Sequence, residues 1–171
     1  MKSVFIIAIV AVAMIGMMIP SAFAYTITDD ATGGDCSTIG TWDSASRTCT
    51  LSDDISEQIV IGANNIVLDG NGKTILGNPN QNYNEINYHD ANYYYCYDGE
   101  TAGIQLNAKT NIVIKNIVIK NWCHGILAQD SINNSFQENT IIENYWGIRL
   151  TDSIGDSIEQ NNFIDIQKYA I

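Results

Sequence analysis

From Asn111 to Asn121 the chain reads NIVIKNIVIKN, with Asn111, Asn116 and Asn121 five residues apart. An amphipathic helix repeats its apolar positions every 3.6 residues and a strand every two, so neither explains this beat. A strand of three or four residues closed by a fixed bend does. A longer period encloses it. Gly103, Gly125 and Gly147 are 22 residues apart and open the phrases GIQL, GILA and GIRL. Asn134, Asn139 and Asn144 answer the three asparagines in the next phrase, and Asp156, Asn161 and Ile166 answer in the third, with one residue of shift between the halves of a phrase. Self-similarity with a period in the low twenties marks a solenoid.

The apolar residues choose among solenoids. The leucine-rich frame is absent, and Ile, Val and Phe favour strands. Three columns follow from the phrases: Ile104, Ile126 and Ile148, extended by Leu106, Ala128 and Leu150; then Val113, Phe136 and Ile158; then Val118, Ile141 and Phe163. Each phrase therefore supplies three short strands with inward apolar residues, which is one triangular turn of a parallel β-helix. The asparagines are expected at the bends, because Asn tolerates the left-handed backbone region. Their stacked amides can hydrogen-bond from coil to coil.

The segment NNIVLDGNGKTILG (Asn64–Gly77), followed by the GI…N…N…GI phrases, resembles the repeats of the NosD-like proteins within the pectin-lyase-like superfamily. The resemblance covers residues 55–171. It implies an all-β, right-handed parallel β-helix with coils of about 22 residues. In that reading Asn65, Val67 and Ile75 form the coil before Gly103, with Asp69-Gly70-Asn71-Gly72 as a tight turn. Residues 78–102 become an insertion and residues 25–54 an N-terminal cap. Ala170-Ile171 reads as the opening of a further coil, as in a shortened chain.

The N-terminus adds a location. Lys2, an apolar stretch from Val4 to Ile19, a Pro20-Ser21 break and Ala22-Phe23-Ala24 have the form of a secretory signal cleaved after Ala24. Residues 1–24 are then lost and the rest is exported, with no membrane association after cleavage; the alternative is an uncleaved membrane anchor. Cys36, Cys49, Cys96 and Cys123 agree, because an even number of cysteines in an exported chain points to disulfides. Three pairings are open. Cys36–Cys49 closes a short loop and is preferred, which leaves Cys96–Cys123. A zinc site lacks the Cys-x-x-Cys pair it would need.

Charge narrows the partners. The formal net charge of -11 argues against nucleic acid, whose phosphates would be repelled. The resemblance raises two activities that the residues do not carry. A polysaccharide lyase or glycoside hydrolase of the superfamily would bring paired carboxylates or a framed basic residue, and those motifs are missing. A copper-associated periplasmic role would need His and Met donors, yet every Met lies in the leading segment and only His89 and His124 remain. No metal, cofactor or catalytic residue is assigned.

One region stands out. NYNEINYHDANYYYCYDGE (Asn82–Glu100) holds six of the nine tyrosines. At one corner of successive coils come Trp122 and His124, Tyr145 and Trp146, then Lys168 and Tyr169. The ligand-binding set drawn from these is Tyr88, His89, Asp90, Tyr94, Trp122, His124, Trp146 and Arg149. Aromatic rings with polar neighbours suit stacking on sugars. The competing reading is that the rings pack the insertion onto the wall. Asn133-Asn134-Ser135 also matches a glycosylation sequon. The expected function is a secreted, non-catalytic β-helix module binding a glycan or an envelope protein; the alternatives are a polysaccharide lyase or glycoside hydrolase acting from the Tyr-rich corner and, third, a periplasmic copper-associated accessory protein.

Overall fold

A computed structural model describes residues 24–78, 84–88, 91–95 and 101–171, with only the backbone described at 84–88 and 91–95. The leading segment expected to be a signal lies outside these residues but for Ala24. Among the described residues seventeen strands and one short helix follow in order. The first four elements are β1 (Tyr25–Ile27), α1 (Cys36–Ile39), β2 (Gly40–Asp43) and β3 (Thr48–Leu51). Four coils come next, each with one strand in each of three sheets. The first coil is β4 (Ile59–Ile61), β5 (Val67–Asp69) and β6 (Thr74–Leu76). A hairpin, β7 (Asn84–Tyr88) and β8 (Ala91–Tyr95), interrupts the series. The second coil is β9 (Ala102–Asn107), β10 (Val113–Lys115) and β11 (Val118–Lys120). The third is β12 (His124–Gln129), β13 (Ser135–Gln137) and β14 (Thr140–Ile142). The fourth is β15 (Trp146–Thr151), β16 (Ser157–Glu159) and β17 (Asn162–Ile164).

Pairing between coils is parallel throughout, so the fold is a parallel β-helix. The first sheet runs β1-β4-β9-β12-β15, the second β16-β13-β10-β5-β3-β2 and the third β17-β14-β11-β6. The N-terminal segment thus adds β1 and β3 to two of the sheets. Ile55 bridges Ile75 in line with the third. The Cys36–Cys49 disulfide, with Cα atoms 5.8 Å apart, fastens α1 to β3, as expected from the short loop. Among the described residues no helix is long and apolar enough to cross a membrane.

The core is a set of vertical ladders. Ile59, Ile104, Ile126 and Ile148 stack in the first sheet, and Ile61, Leu106, Ala128 and Leu150 beside them. In the second sheet the inward ladder is Cys49, Leu68, Ile114, Phe136 and Ile158. In the third it is Ile75, Ile119, Ile141 and Phe163. Two expected members are corrected here. Val113 pairs with Ser135 and Val118 with Thr140, both on the outer face, and the inward places belong to Ile114 and Ile119. Each fully buried Ile or Phe contributes about 1.5–3 kcal/mol of transfer free energy.

The asparagines are likewise displaced by one residue from the expected columns. From the second coil to the fourth the repeat is 22 residues without slippage: Asn111, Asn116 and Asn121 are matched by Asn133, Glu138 and Glu143, then by Gly155, Gln160 and Asp165. All nine have positive φ, between 50° and 75°, so the bend imposes the left-handed conformation on whatever residue stands there. Asn134, Asn139 and Asn144 stand one place later and point inward, buried to within 1%. In the preceding coil those inward corners are Ile112, Ile117 and Trp122.

The buried amides close the backbone of the coil before them. Asn134, Asn139 and Asn144 accept through Oδ1 from the backbone N–H groups of Ile112, Ile117 and Trp122 at 2.9, 3.2 and 2.8 Å. Asn139 and Asn144 donate through Nδ2 to the carbonyls of Ile114 and Ile119 at 3.0 and 2.9 Å. The ladder continues upward, since Asn134 and Asn139 also donate to Asp156 and Asn161 at 3.0 Å. Coil-to-coil bonding of stacked amides was expected; its main seat is this inward column. Between the first and second coils the corners close differently. Gly70 and Gly77 donate backbone N–H groups to the carbonyls of Lys115 and Lys120 at 2.8 Å. A Cβ on Gly77 would lie 2.1 Å from the Asn121 carbonyl oxygen, which explains the glycine.

Candidate functional site: an aromatic and cationic corner

The third sheet bends into the first between β14 and β15, and a like bend joins β11 to β12. His124 and Trp146 open β12 and β15 and are direct neighbours in parallel register. Tyr169, in the bend after β17, bridges Trp146 in turn. Ile126 and Ile148 turn into the core, and Arg149 after Ile148 turns out. Alternation breaks at Gly125 and Gly147, where a Cβ would meet Ile141 and Phe163 in the core, and this break leaves His124 and Trp146 on the outer face.

The rings form an outer ladder. The His124 and Trp146 centroids are 6.1 Å apart with planes 15° apart, and Trp146 and Tyr169 are 5.2 Å apart at 35°. Tyr145 meets Trp146 edge-on, at 6.1 Å and 74°. Two cations join them. Lys168 Nζ lies 4.8 Å from the Trp146 ring centre, 5.8 Å from that of Tyr145 and 6.0 Å from that of Tyr169. The Arg149 guanidinium lies 5.5 Å from the Trp146 ring centre, and its Nη1 is 3.2 Å from His124 Nε2. Cation–π contacts of this kind contribute about 0.5–2 kcal/mol.

Exposure grades along the ladder. His124 and Tyr145 are buried, Trp146 is half-buried, and Tyr169 is 56% exposed with Lys168 exposed beside it. Trp146 has ring neighbours on both sides of its column, so its faces are largely occupied. Among the described rings of this corner, Tyr169 is the most exposed. Leu127 is fully buried yet stands outside the core cluster, between Gln105 and Arg149 in register.

The expected site residues separate on this geometry. His124, Trp146 and Arg149 come together, with Tyr145, Lys168 and Tyr169 from the same corner. Trp122 does not join them: it is 6% exposed, belongs to the core, and donates its indole N–H to the Ile75 carbonyl at 3.1 Å. Tyr88 lies at the end of β7 and Tyr94 within β8, where only the backbone is described. His89 and Asp90 lie outside the described residues. Cys123 is disulfide-bonded; its expected partner Cys96 also lies outside them. Lys168 and Tyr169 were missing from the ligand-binding set, although their spacing from Trp146 had placed them at this corner.

A family model described as "Periplasmic copper-binding protein (NosD)" matches residues 24–171. The chain belongs to the NosD family. Membership agrees with the β-helix and places the chain outside the cytoplasm. No curated protein matches the chain, and no solved structure does.

The NosD description invites a test of the donors for copper. Copper favours thiolate, thioether and imidazole ligands. The four methionines, Met1, Met14, Met17 and Met18, precede the described residues. The described cysteines are in disulfides. His124 has its Nε2 against a guanidinium, which would repel a cation. Among the described residues no three of His, Cys, Asp and Glu gather closely enough to hold a metal. The described residues of this NosD-family chain therefore do not fit a copper centre.

Proposed function

We propose that this NosD-family chain is a non-catalytic extracytoplasmic module that binds glycan at its aromatic and cationic corner. The observation that carries the reading is Tyr169, a residue more than half exposed beside an exposed Lys168 at the end of a ladder of rings. Sugar rings present C–H faces that stack on aromatics and hydroxyls that accept hydrogen bonds from an ammonium. The buried end of the ladder, His124 with Arg149, holds the exposed end in place.

A glycan array on the mature chain, followed by calorimetric titration of a bound oligosaccharide, tests this. Tyr169→Ala should weaken binding roughly fivefold, equivalent to about 1 kcal/mol for a lost aromatic contact. Its melting temperature should change by less than ~2 °C. A blank array would overturn the reading and direct attention to a protein partner at the same corner. The family description favours a second reading, an accessory role in copper handling. In that role the corner would dock a protein, since the described donors do not fit the metal.

A further inference from the structure

A concavity lies on the other edge of the third sheet, away from the aromatic corner. In the second, third and fourth coils two residues join the second sheet to the third: Asn116-Ile117, Glu138-Asn139 and Gln160-Asn161. In the first coil four residues do so, Gly70-Asn71-Gly72-Lys73, between β5 and β6. The longer turn overhangs the wall. Asn71 N–H donates to Asp69 Oδ1 at 2.9 Å, Lys73 N–H to the Gly70 carbonyl at 2.8 Å, and Gly72 N–H to the Asn116 carbonyl at 2.8 Å. Asn71 and Gly72 have φ of 50° and 76°, and a Cβ on Gly72 would meet no atom within 4 Å. Beside this overhang is a groove of about 380 Å³, lined by Asn71, Gly72, Asn116, Val118, Glu138 and Thr140. That volume falls within the range of small-ligand sites.

The lining has a definite chemistry. Among the described residues the Glu138 carboxylate and the Thr140 hydroxyl make no side-chain hydrogen bond or ion pair. The Asn116 amide reaches Asp69 Oδ1 only at 3.5 Å, the limit for such a bond. The nearby cation Lys115 is held by Asp69 at 3.1 Å. Acceptors, a hydroxyl and an amide thus converge beside the apolar Val118, with a carboxylate that would repel an anion. A ring that carries many hydroxyls, has an apolar C–H face and bears no negative charge matches this lining. We propose that the groove is a second carbohydrate site, separate from the aromatic corner, that takes an uncharged pyranose segment. It stands on the overhanging turn and its lining, independently of Tyr169 and Lys168.

The repeat itself supplies fold-preserving variants. Glu138→Gln copies Gln160, which occupies the same bend one coil on with φ of 56°. Thr140→Val copies Val118, its neighbour in the outer column. The mature chain would be titrated with cellotetraose and chitotetraose, both uncharged, and with tetragalacturonate. At least one uncharged tetramer should bind, and tetragalacturonate at least tenfold more weakly. Each single variant should weaken the uncharged tetramer roughly fivefold and the double variant more than tenfold, as expected for lost charge-assisted and neutral hydrogen bonds. Glu138→Gln should also narrow the gap to tetragalacturonate. Tyr169→Ala should leave binding at the groove unchanged. Equal affinity in wild type and both single variants would overturn the proposal. So would failure of both uncharged tetramers to bind. Loss in Tyr169→Ala alone would sink the groove while supporting the corner, which keeps the two readings apart.

Discussion

The inward amide ladder and the outer aromatic ladder are both strung along the coil axis, but they differ in how completely their groups are used. Asn139 is buried, with its oxygen taken by Ile117 N–H and its nitrogen shared between Ile114 and Asn161. The outer ladder begins equally buried at His124 and ends at Tyr169 and Lys168, which face solvent. A buried polar group with every bond made contributes to holding the fold. A ring and an ammonium left half in water at the end of a rigid stack are positioned without being consumed. The inner ladder should therefore register in stability and the outer end in binding.

The largest effect should come from the core that both ladders enclose. Phe136 is fully buried, so Phe136→Asp should cost several kcal/mol, on the order of 4, from an unpaired buried charge and lost packing. Gln137→Asp, one residue on and facing outward, should cost less than ~0.5 kcal/mol. Urea denaturation of both variants checks the register; equal losses would refute it. The inner ladder comes next. Asn139→Ala strands the Ile117 N–H and removes one of the bonds to the Ile114 carbonyl, and should cost about 3 kcal/mol by the same measurement. A loss below ~1 kcal/mol would mean that water replaces the amide. Removing the Cys36–Cys49 link by a double Cys→Ala change should cost roughly 2–3 kcal/mol, as for a loop of this length. Calorimetric melting would show it.

A smaller effect concerns pH. Asp30 is held well below the usual carboxylate range, first by the Gly34 N–H, then by the Thr28 hydroxyl and by the N–H and hydroxyl of Thr32. A depressed folded-state value means that this stabilisation is present above the unfolded value near 4 and fades as pH falls below it. Asp30→Asn should flatten the acid limb of the stability curve below about pH 4 and lower stability slightly at pH 7. An unchanged limb would show that the turn forms without the charge.

Much of this architecture was legible because side chains repeat where backbone geometry repeats. Gly103, Gly125 and Gly147 betrayed the period, and the Ile columns betrayed the strands. What failed was phase. In NIVIKN the bend residue is Asn and the inward residue Ile, whereas in Glu138-Asn139 and Glu143-Asn144 the bend is Glu and the inward residue Asn. Matching Asn to Asn joined two different columns. An amide suits both a left-handed bend and a backbone-closing corner, so residue type alone could not separate them. The aromatic corner was found from spacing, yet Trp122 was grouped with His124 there although it follows the bend residue Asn121 and stands in the inward column of Asn144. The groove beside Asn71 and Gly72 escaped because it arises from two additional turn residues rather than from any motif.

The central claim, that the outer ladder binds and the inner wall only supports, can be tested on tryptophan. The indole N–H resonances of Trp42, Trp122 and Trp146 can be assigned by Trp→Phe variants and followed while an oligosaccharide selected on the array is added. Trp146 touches both Lys168 and Tyr169, whereas Trp122 is bonded inward to Ile75. The account predicts that the Trp146 signal moves with the ligand while those of Trp42 and Trp122 stay in place. A stationary Trp146 signal at saturating ligand would contradict it.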